Sequence, residues 1–123
     1  MHHIFVYGTL KRGHGNHHLL ETATFLGVAV TAPEFTMLRL GGFPGIVRSG
    51  ETEIKGELYE VDDATLRRLD RLEGHPSFYE RQSLTVTMTD GSVLEVESYI
   101  LPTSWLDSRQ VIPTGVWGSK ERA

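Results

Sequence analysis

The chain has 123 residues, 39% of them hydrophobic and 23% charged, with a formal net charge of −4 and no cysteine. That is the size and make-up of one folded domain able to bury its own core. It excludes disulfide staples, thiol catalysis and cysteine-based zinc sites, and the lack of a basic footprint argues against nucleic acid as a partner.

No apolar run approaches the roughly 20 residues needed to span a bilayer, and the N-terminus has no signal-peptide shape. A cytoplasmic protein without a membrane partner is therefore expected. His2 and His3 run straight into Ile4-Phe5-Val6-Tyr7 and are read as native residues. Residues 3–7 are a compact apolar run of strand formers ended by Gly8, the pattern of a buried strand. Residues 14–22 suggest a weak helix. Residues 24–31, 35–40 and 54–61 read as further strands, the first two separated by Ala32-Pro33.

One helix is well marked. Asp62 or Asp63 can cap its first turn, and Gly74 supplies a left-handed residue to end it after Glu73. Residues 82–89 and 92–101 then flank Asp90-Gly91, a two-residue hairpin signal in which both turn positions favour positive φ. In the first arm Leu84, Val86 and Met88 alternate with Thr85, Thr87 and Thr89, as in a sheet buried on one face. Residues 112–123, with Pro113, Gly115 and Gly118, read as irregular. With no repeat and no linker, residues 1–123 are expected to form a single α+β domain, a small mixed barrel or strongly curled sheet.

Glu73 stands out. Leu66, Leu69 and Leu72 lie near one stripe of the helix, and Glu73 follows Leu69 by four residues and Leu66 by seven. A carboxylate on an apolar face loses its water, which raises its pKa; the negative end of the helix and nearby Asp70 push the same way. Such a group suits general acid/base chemistry near neutral pH. The plainer reading pairs Glu73 with Arg81 or leaves it at a solvated helix end.

Tyr7-Gly8-Thr9-Leu10 follows the first strand. Gly8 permits backbone conformations that other residues avoid, and such a turn can aim successive N–H groups at an anion. A plain turn fits the same residues. The spacing of Gly8, Gly13 and Gly15 lacks the Gly-Lys-Ser/Thr ending of a P-loop. His14 and His18, four apart, with His17, would suit a metal-dependent hydrolase if this segment were helical. Exposed histidines are the simpler account, and no metal is expected. Trp105 and Trp117 read as packing residues.

In order along the chain, Val6-Tyr7-Gly8-Thr9-Leu10-Lys11-Arg12-Gly13, Gly56-Glu57-Leu58-Tyr59-Glu60-Val61, Leu69-Asp70-Arg71-Leu72-Glu73-Gly74 and Tyr79-Glu80-Arg81 resemble the γ-glutamylcyclotransferase superfamily. The opening motif is similar in particular to γ-glutamylamine cyclotransferases and AIG2-like proteins. Residues 115–117 also resemble the family's ending. The resemblance implies a small mixed β-barrel with flanking helices. It implies a substrate site lined by Tyr7, Gly8, Thr9 and Leu10, whose N–H groups hold an α-carboxylate. It makes Glu73 the catalytic acid/base and gives Tyr79 a part in shaping the pocket. The implied reaction converts a γ-glutamyl amide or amine to 5-oxoproline and a free amine without a cofactor. A non-catalytic binding module for an acidic metabolite, or removal of a γ-glutamyl group from a biosynthetic intermediate, are the alternatives on the same scaffold.

Overall fold

The computed structural model describes residues 1–107 and 109–118. Its strands are β1 (His2–Val6), β2 (Thr24–Thr31), β3 (Phe35–Arg39), β4 (Pro44–Thr52), β5 (Lys55–Val61), β6 (Glu80–Met88), β7 (Val93–Ile100) and β8 (Gln110–Val111). One α-helix, α1 (Asp63–Glu73), joins β5 to β6, and single 3-10 turns occupy His17–Leu20 and Thr103–Trp105. Five strands close a barrel in the order β1-β5-β2-β6-β7, and β4-β3-β8 form a second sheet. The barrel closes where β1 meets β7 in parallel, Ile4 opposite Glu97; its other pairings are antiparallel. This is the small mixed α+β barrel that the sequence pattern and the family resemblance imply.

β1 is apolar at every position from Ile4 because both of its faces are buried. Ile4 and Val6 join a core with Tyr59, Val61 and the helix residues Leu66 and Leu69. Phe5 and Tyr7, pointing the other way, join a second core with Leu58, Ile46 and Val86. Trp117 closes that second core, and Arg39 sits over its ring at 4.8 Å. In β6, Leu84 and Val86 are buried while Thr85 and Thr87 are exposed, the alternation expected of a sheet with one wet face.

The helix begins and ends where its signals place it. Asp62 caps it by accepting the Thr65 N–H at 2.8 Å. Gly74 takes φ 68°, and the N–H groups of Gly74 and His75 turn back to the carbonyls of Arg71 and Asp70. Leu72 departs from the expected stripe and is 42% exposed. At about 100° per residue, Glu73 projects between Leu66 and Leu69, whereas Leu72 lies about 60° beyond Leu69.

Other elements differ from expectation for local reasons. The expected helix over residues 14–22 is only the 3-10 turn at His17–Leu20. Residues 112–118 are irregular, as the sequence pattern implies, while residues 119–123 lie outside the described residues. β4 is not marked in the sequence because Pro44, Gly45 and Gly50 interrupt it. The structure needs those glycines: a Cβ on Gly45 would lie 2.2 Å from Leu101 Cδ1, and Gly50 takes φ 139° against Phe35 and Thr36. The 90–91 turn is a hairpin, but only Gly91 has positive φ. The Gly91 N–H bonds to Met88 O at 2.9 Å and the Asp90 carboxylate accepts from Ser92, so the loop is one residue longer than a two-residue turn.

The barrel also depends on Gly56, whose position leaves no room for a side chain: a Cβ there would stand 2.3 Å from the Val6 carbonyl oxygen and 2.8 Å from the Phe5 ring. Gly56→Ala is expected to force β5 from β1 and to lower the unfolding free energy by about 3 kcal/mol. Urea denaturation checks this: the midpoint should fall with an unchanged slope.

Candidate active site

A cavity of about 370 Å³ opens beside the C-terminal end of α1. Its walls come from the end of β1 and the following turn (Phe5 to Thr9), the 42–44 bend, the helix end at Leu72-Glu73, the segment Phe78-Tyr79 and β7 (Ser98, Tyr99). Of the residues singled out from sequence, Tyr7, Gly8, Thr9, Glu73 and Tyr79 meet here. Leu10 does not line the cavity; it is 3% exposed and packs in the core below.

Glu73 is held in place by the backbone that leaves the helix. Its carbonyl accepts the Tyr79 N–H at 3.3 Å, and the Phe78 N–H returns to Gly74 O at 2.8 Å, so the chain folds back and sets Tyr79 beside it. Among the described residues no group donates a hydrogen bond to the Glu73 carboxylate, and none forms an ion pair with it. Loss of water on burial pushes its pKa up to about 7 from an ordinary value of 4.5.

Arg81, the sequence's candidate partner for Glu73, is committed elsewhere. It grips Asp70 with Nε and Nη2 at 3.0 and 3.2 Å, and its Nη1 reaches both Glu97 oxygens at 3.1 Å. Asp70 also accepts from the Tyr99 hydroxyl at 2.7 Å. Burial raises the Asp70 pKa, but the hydrogen bonds from Arg81 and Tyr99 outweigh it and hold the group below the usual range. Its charge is thus neutralised by Arg81, and burial is what raises Glu73.

Three tyrosines surround the carboxylate, and each has its hydroxyl hydrogen engaged away from it. Tyr7 donates to Tyr99 O at 2.7 Å, Tyr79 donates to Pro44 O, and Tyr99 donates to Asp70. Burial raises the pKa of all three, and the charge of Glu73 adds to that. They remain neutral phenols that offer lone pairs to the cavity. Sequence reasoning did not find Tyr99: it enters the site only through the pairing of β7 with β1 and β6, which no local pattern records.

The turn after β1 is tied down by its carbonyls. Lys11 N–H bonds to Gly8 O at 3.0 Å and Asn16 N–H to Thr9 O at 2.9 Å, while Asn16 Nδ2 donates to Thr9 Oγ1 at 2.8 Å. The backbone bonds outside helices and strands engage none of the N–H groups of Gly8, Thr9 and Leu10 among the described residues. Gly8 does not adopt positive φ, contrary to the sequence reading. Its requirement is close approach: a Cβ would sit 2.8 Å from Pro44 Cγ. Asn16 lines the cavity as well.

The histidines do not assemble as a metal site. His17 begins the 3-10 turn, with Nδ1 3.0 Å from Leu10 O and its ring against Tyr59; His18 is exposed, and His14 lies against Gly118 in a separate depression with Trp117. Trp117 packs in the core with Phe5 and Tyr7 and does not itself line the Glu73 cavity. His75 accepts the Arg81 N–H through Nδ1 at 3.0 Å. Among the described residues no group of three or more His, Asp or Glu side chains is placed to hold a metal, and no helix is long and apolar enough to cross a membrane.

A small mixed barrel that presents one desolvated, unpaired carboxylate beside a strand-end turn defines a distinct class of protein. The chain belongs to the γ-glutamyl cyclotransferase, AIG2-like family, whose model matches residues 4–119. It is similar to the γ-glutamylaminecyclotransferase of Rattus norvegicus, 41% identical over 99 residues that cover 73% of this chain and 66% of the rat protein. A protein of Methanocaldococcus jannaschii provisionally named a γ-glutamylcyclotransferase is 37% identical over 85% of this chain and 88% of its own length. The crystal structure of an AIG2-like protein from Mus musculus superposes with a TM-score of 0.81 at 34% identity, over 92% of this chain and 86% of that one. The chain is accordingly an enzyme of the cyclotransferase type.

The raised Glu73 pKa has a sign for stability. Below about pH 4.5 the group is neutral in both folded and unfolded chains. Between 4.5 and 7 only the unfolded chain ionises, so stability falls, and above 7 the loss is complete at about 3 kcal/mol. Glu73→Gln is therefore expected to raise the melting temperature at pH 8 and to leave it nearly unchanged at pH 4, as calorimetry at the two pH values would show.

Proposed function

We propose that this enzyme cyclises a γ-glutamyl amide to 5-oxoproline and a free amine, with Glu73 as the general acid/base. The observation that carries this reading is the Glu73 carboxylate: buried, without a donor or cation, and poised at about pH 7. The family is that of cyclotransferases, and several relatives are named γ-glutamylaminecyclotransferases.

The substrate carries its nucleophile and its electrophile on one chain. Its α-ammonium must lose a proton before the nitrogen can attack the γ-carbonyl. The new N–C bond closes a five-membered lactam, and the bond from that carbon to the departing nitrogen breaks. In total two protons leave the attacking nitrogen, and two arrive on the departing one as it becomes an ammonium. Glu73 relays them in turn, so the carboxylate ends as it began. No outside nucleophile enters the balance.

The surrounding groups fit assigned parts. The N–H groups of Gly8 and Thr9 are donors for the α-carboxylate, as the cavity lining has no Lys, Arg or His to hold an anion. The hydroxyl oxygens of Tyr7 and Tyr79, with their hydrogens engaged elsewhere, accept from the α-ammonium and steer it toward Glu73. Holding amine and carbonyl together supplies much of the acceleration, since orientation alone is worth roughly 7–11 kcal/mol of barrier. Tyr79 therefore serves to position substrate, and Gly8 keeps the turn close to Pro44.

Three outcomes test the reading. Glu73→Gln should lower kcat for 5-oxoproline release by about 10²–10⁴-fold with an intact fold; near-normal turnover by that variant would remove Glu73 from the mechanism. For the wild type, kcat/KM should fall tenfold per pH unit below about 7, and the acid limb of kcat should lie lower because a bound ammonium favours the carboxylate. A pH profile flat from 5 to 8 contradicts this role. Gly8→Val should press on Pro44 and lower kcat/KM by about 10²-fold, chiefly through KM, and steady-state kinetics with an unchanged KM would refute the cradle.

A further inference from the structure

The wall of the cavity alternates along the chain in a way that separates two regions. Three of the chain-adjacent pairs in it divide this way: Phe43-Pro44, Leu72-Glu73 and Phe78-Tyr79. The second member of each pair belongs to the reacting end: Glu73 itself, Tyr79 beside it, and Pro44, whose carbonyl holds the Tyr79 hydroxyl. The first members are large, apolar and open to solvent, at 39% for Phe43, 42% for Leu72 and 36% for Phe78.

These exposed side chains are organised. Phe43 meets Phe78 edge-on at 6.4 Å, and Phe78 meets Trp105 edge-on at 5.5 Å and Tyr79 at 5.0 Å. They come from the 42–44 bend, the helix end and the segment before β6, so three separate parts of the chain converge on one apolar mouth. Apolar surface left in water at the rim of a cavity marks a ligand contact better than scattered single residues do.

Direction follows from the chemistry proposed above, on which this inference rests. Glu73 must reach the departing nitrogen to protonate it, so that nitrogen lies at the Glu73 end of the cavity, where Leu72 and Phe78 are the exposed neighbours and Phe43 meets Phe78; the glutamyl carboxylate is held at the Gly8-Thr9 turn. Whatever the nitrogen carries then leaves past Leu72, Phe78 and Phe43. The cavity lining holds no charged side chain other than Glu73. A distal ammonium or carboxylate in that position would be drawn from water without a counter-charge in the lining.

We propose that Phe43, Leu72 and Phe78 form the leaving-group subsite, and that the substrates are γ-glutamyl amides of apolar primary amines with an aliphatic or aromatic chain. Uncharged hydrocarbon fills the mouth and covers the two phenylalanines. A charged tail meets no counter-charge in the cavity lining.

The experiment compares 5-oxoproline release from the γ-glutamyl amides of butylamine, phenethylamine and ethanolamine and from γ-glutamyl-ε-lysine. The two apolar amides should exceed the other two in kcat/KM by at least about tenfold. Phe43→Ser and Phe78→Ser should collapse that ratio toward one, and Phe78→Leu, which keeps an apolar side chain, should retain most of it. Equal or better turnover of γ-glutamyl-ε-lysine by the wild type, or serine variants that slow all four substrates alike, overturns the subsite. Calorimetric binding of the same four compounds to Glu73→Gln separates this inference from the reaction itself. Tighter binding of the apolar pair without turnover by the wild type upholds the subsite and sinks the cyclisation; binding of none of them sinks the subsite.

Discussion

The grip of Arg81 on Asp70 is the constraint on which the site depends. Asp70 and Glu73 are one helical turn apart, and a single cation between them could neutralise either. The Nε and Nη2 fork, with the Tyr99 hydroxyl as a third donor, settles it on Asp70. The same bonds fasten α1 to β6 and β7, so helix placement and charge placement are one act. Two neighbouring carboxyl groups are thereby driven apart in pKa, Asp70 down and Glu73 up to about 7. Separation of that kind is how one scaffold keeps a structural anion and a proton carrier side by side.

The tyrosines extend the same logic. A phenol next to a buried carboxylate would ordinarily donate to it and stabilise its charge. Here Tyr7, Tyr79 and Tyr99 each donate to another acceptor. Glu73 is polar in its neighbours yet unsolvated by them, which a purely apolar pocket could not offer to a charged substrate. The cost is a fold less stable at neutral pH than its core would permit, a common feature of sites built for chemistry.

Much of this was legible in the sequence, and the remainder was hidden for identifiable reasons. Helix α1 announced both ends because Asp62 and Gly74 do local work, and Glu73 stood out because helical spacing places it between Leu66 and Leu69. Leu72 misled, since a residue at the edge of a stripe is in or out according to what covers it. β4 was masked by Pro44, Gly45 and Gly50, whose reasons are contacts made with distant residues. Gly8 attracts attention for backbone freedom and is needed instead for contact with Pro44, thirty-six residues away. Tyr99 and Phe43 carried no local signal: they reach the cavity through strand pairing and a bend. Short-range chemistry was readable, and long-range assembly was readable only through the family resemblance.

The closure of the barrel has a further consequence. β1 and β7 meet at its seam, where the Tyr7 hydroxyl bonds to Tyr99 O and the Ser98 hydroxyl to Phe5 O, links that span 92 and 93 residues. All four of these residues line the cavity. Joining segments so far apart in sequence carries a large loop-closure entropy, and such contacts form slowly relative to local hairpins and helices. A chain with α1 and the β6–β7 hairpin in place but an open seam would have most of its secondary structure and no pocket. Catalytic competence in this architecture is therefore a report on ring closure, and the nascent chain has none until its seventh strand has emerged.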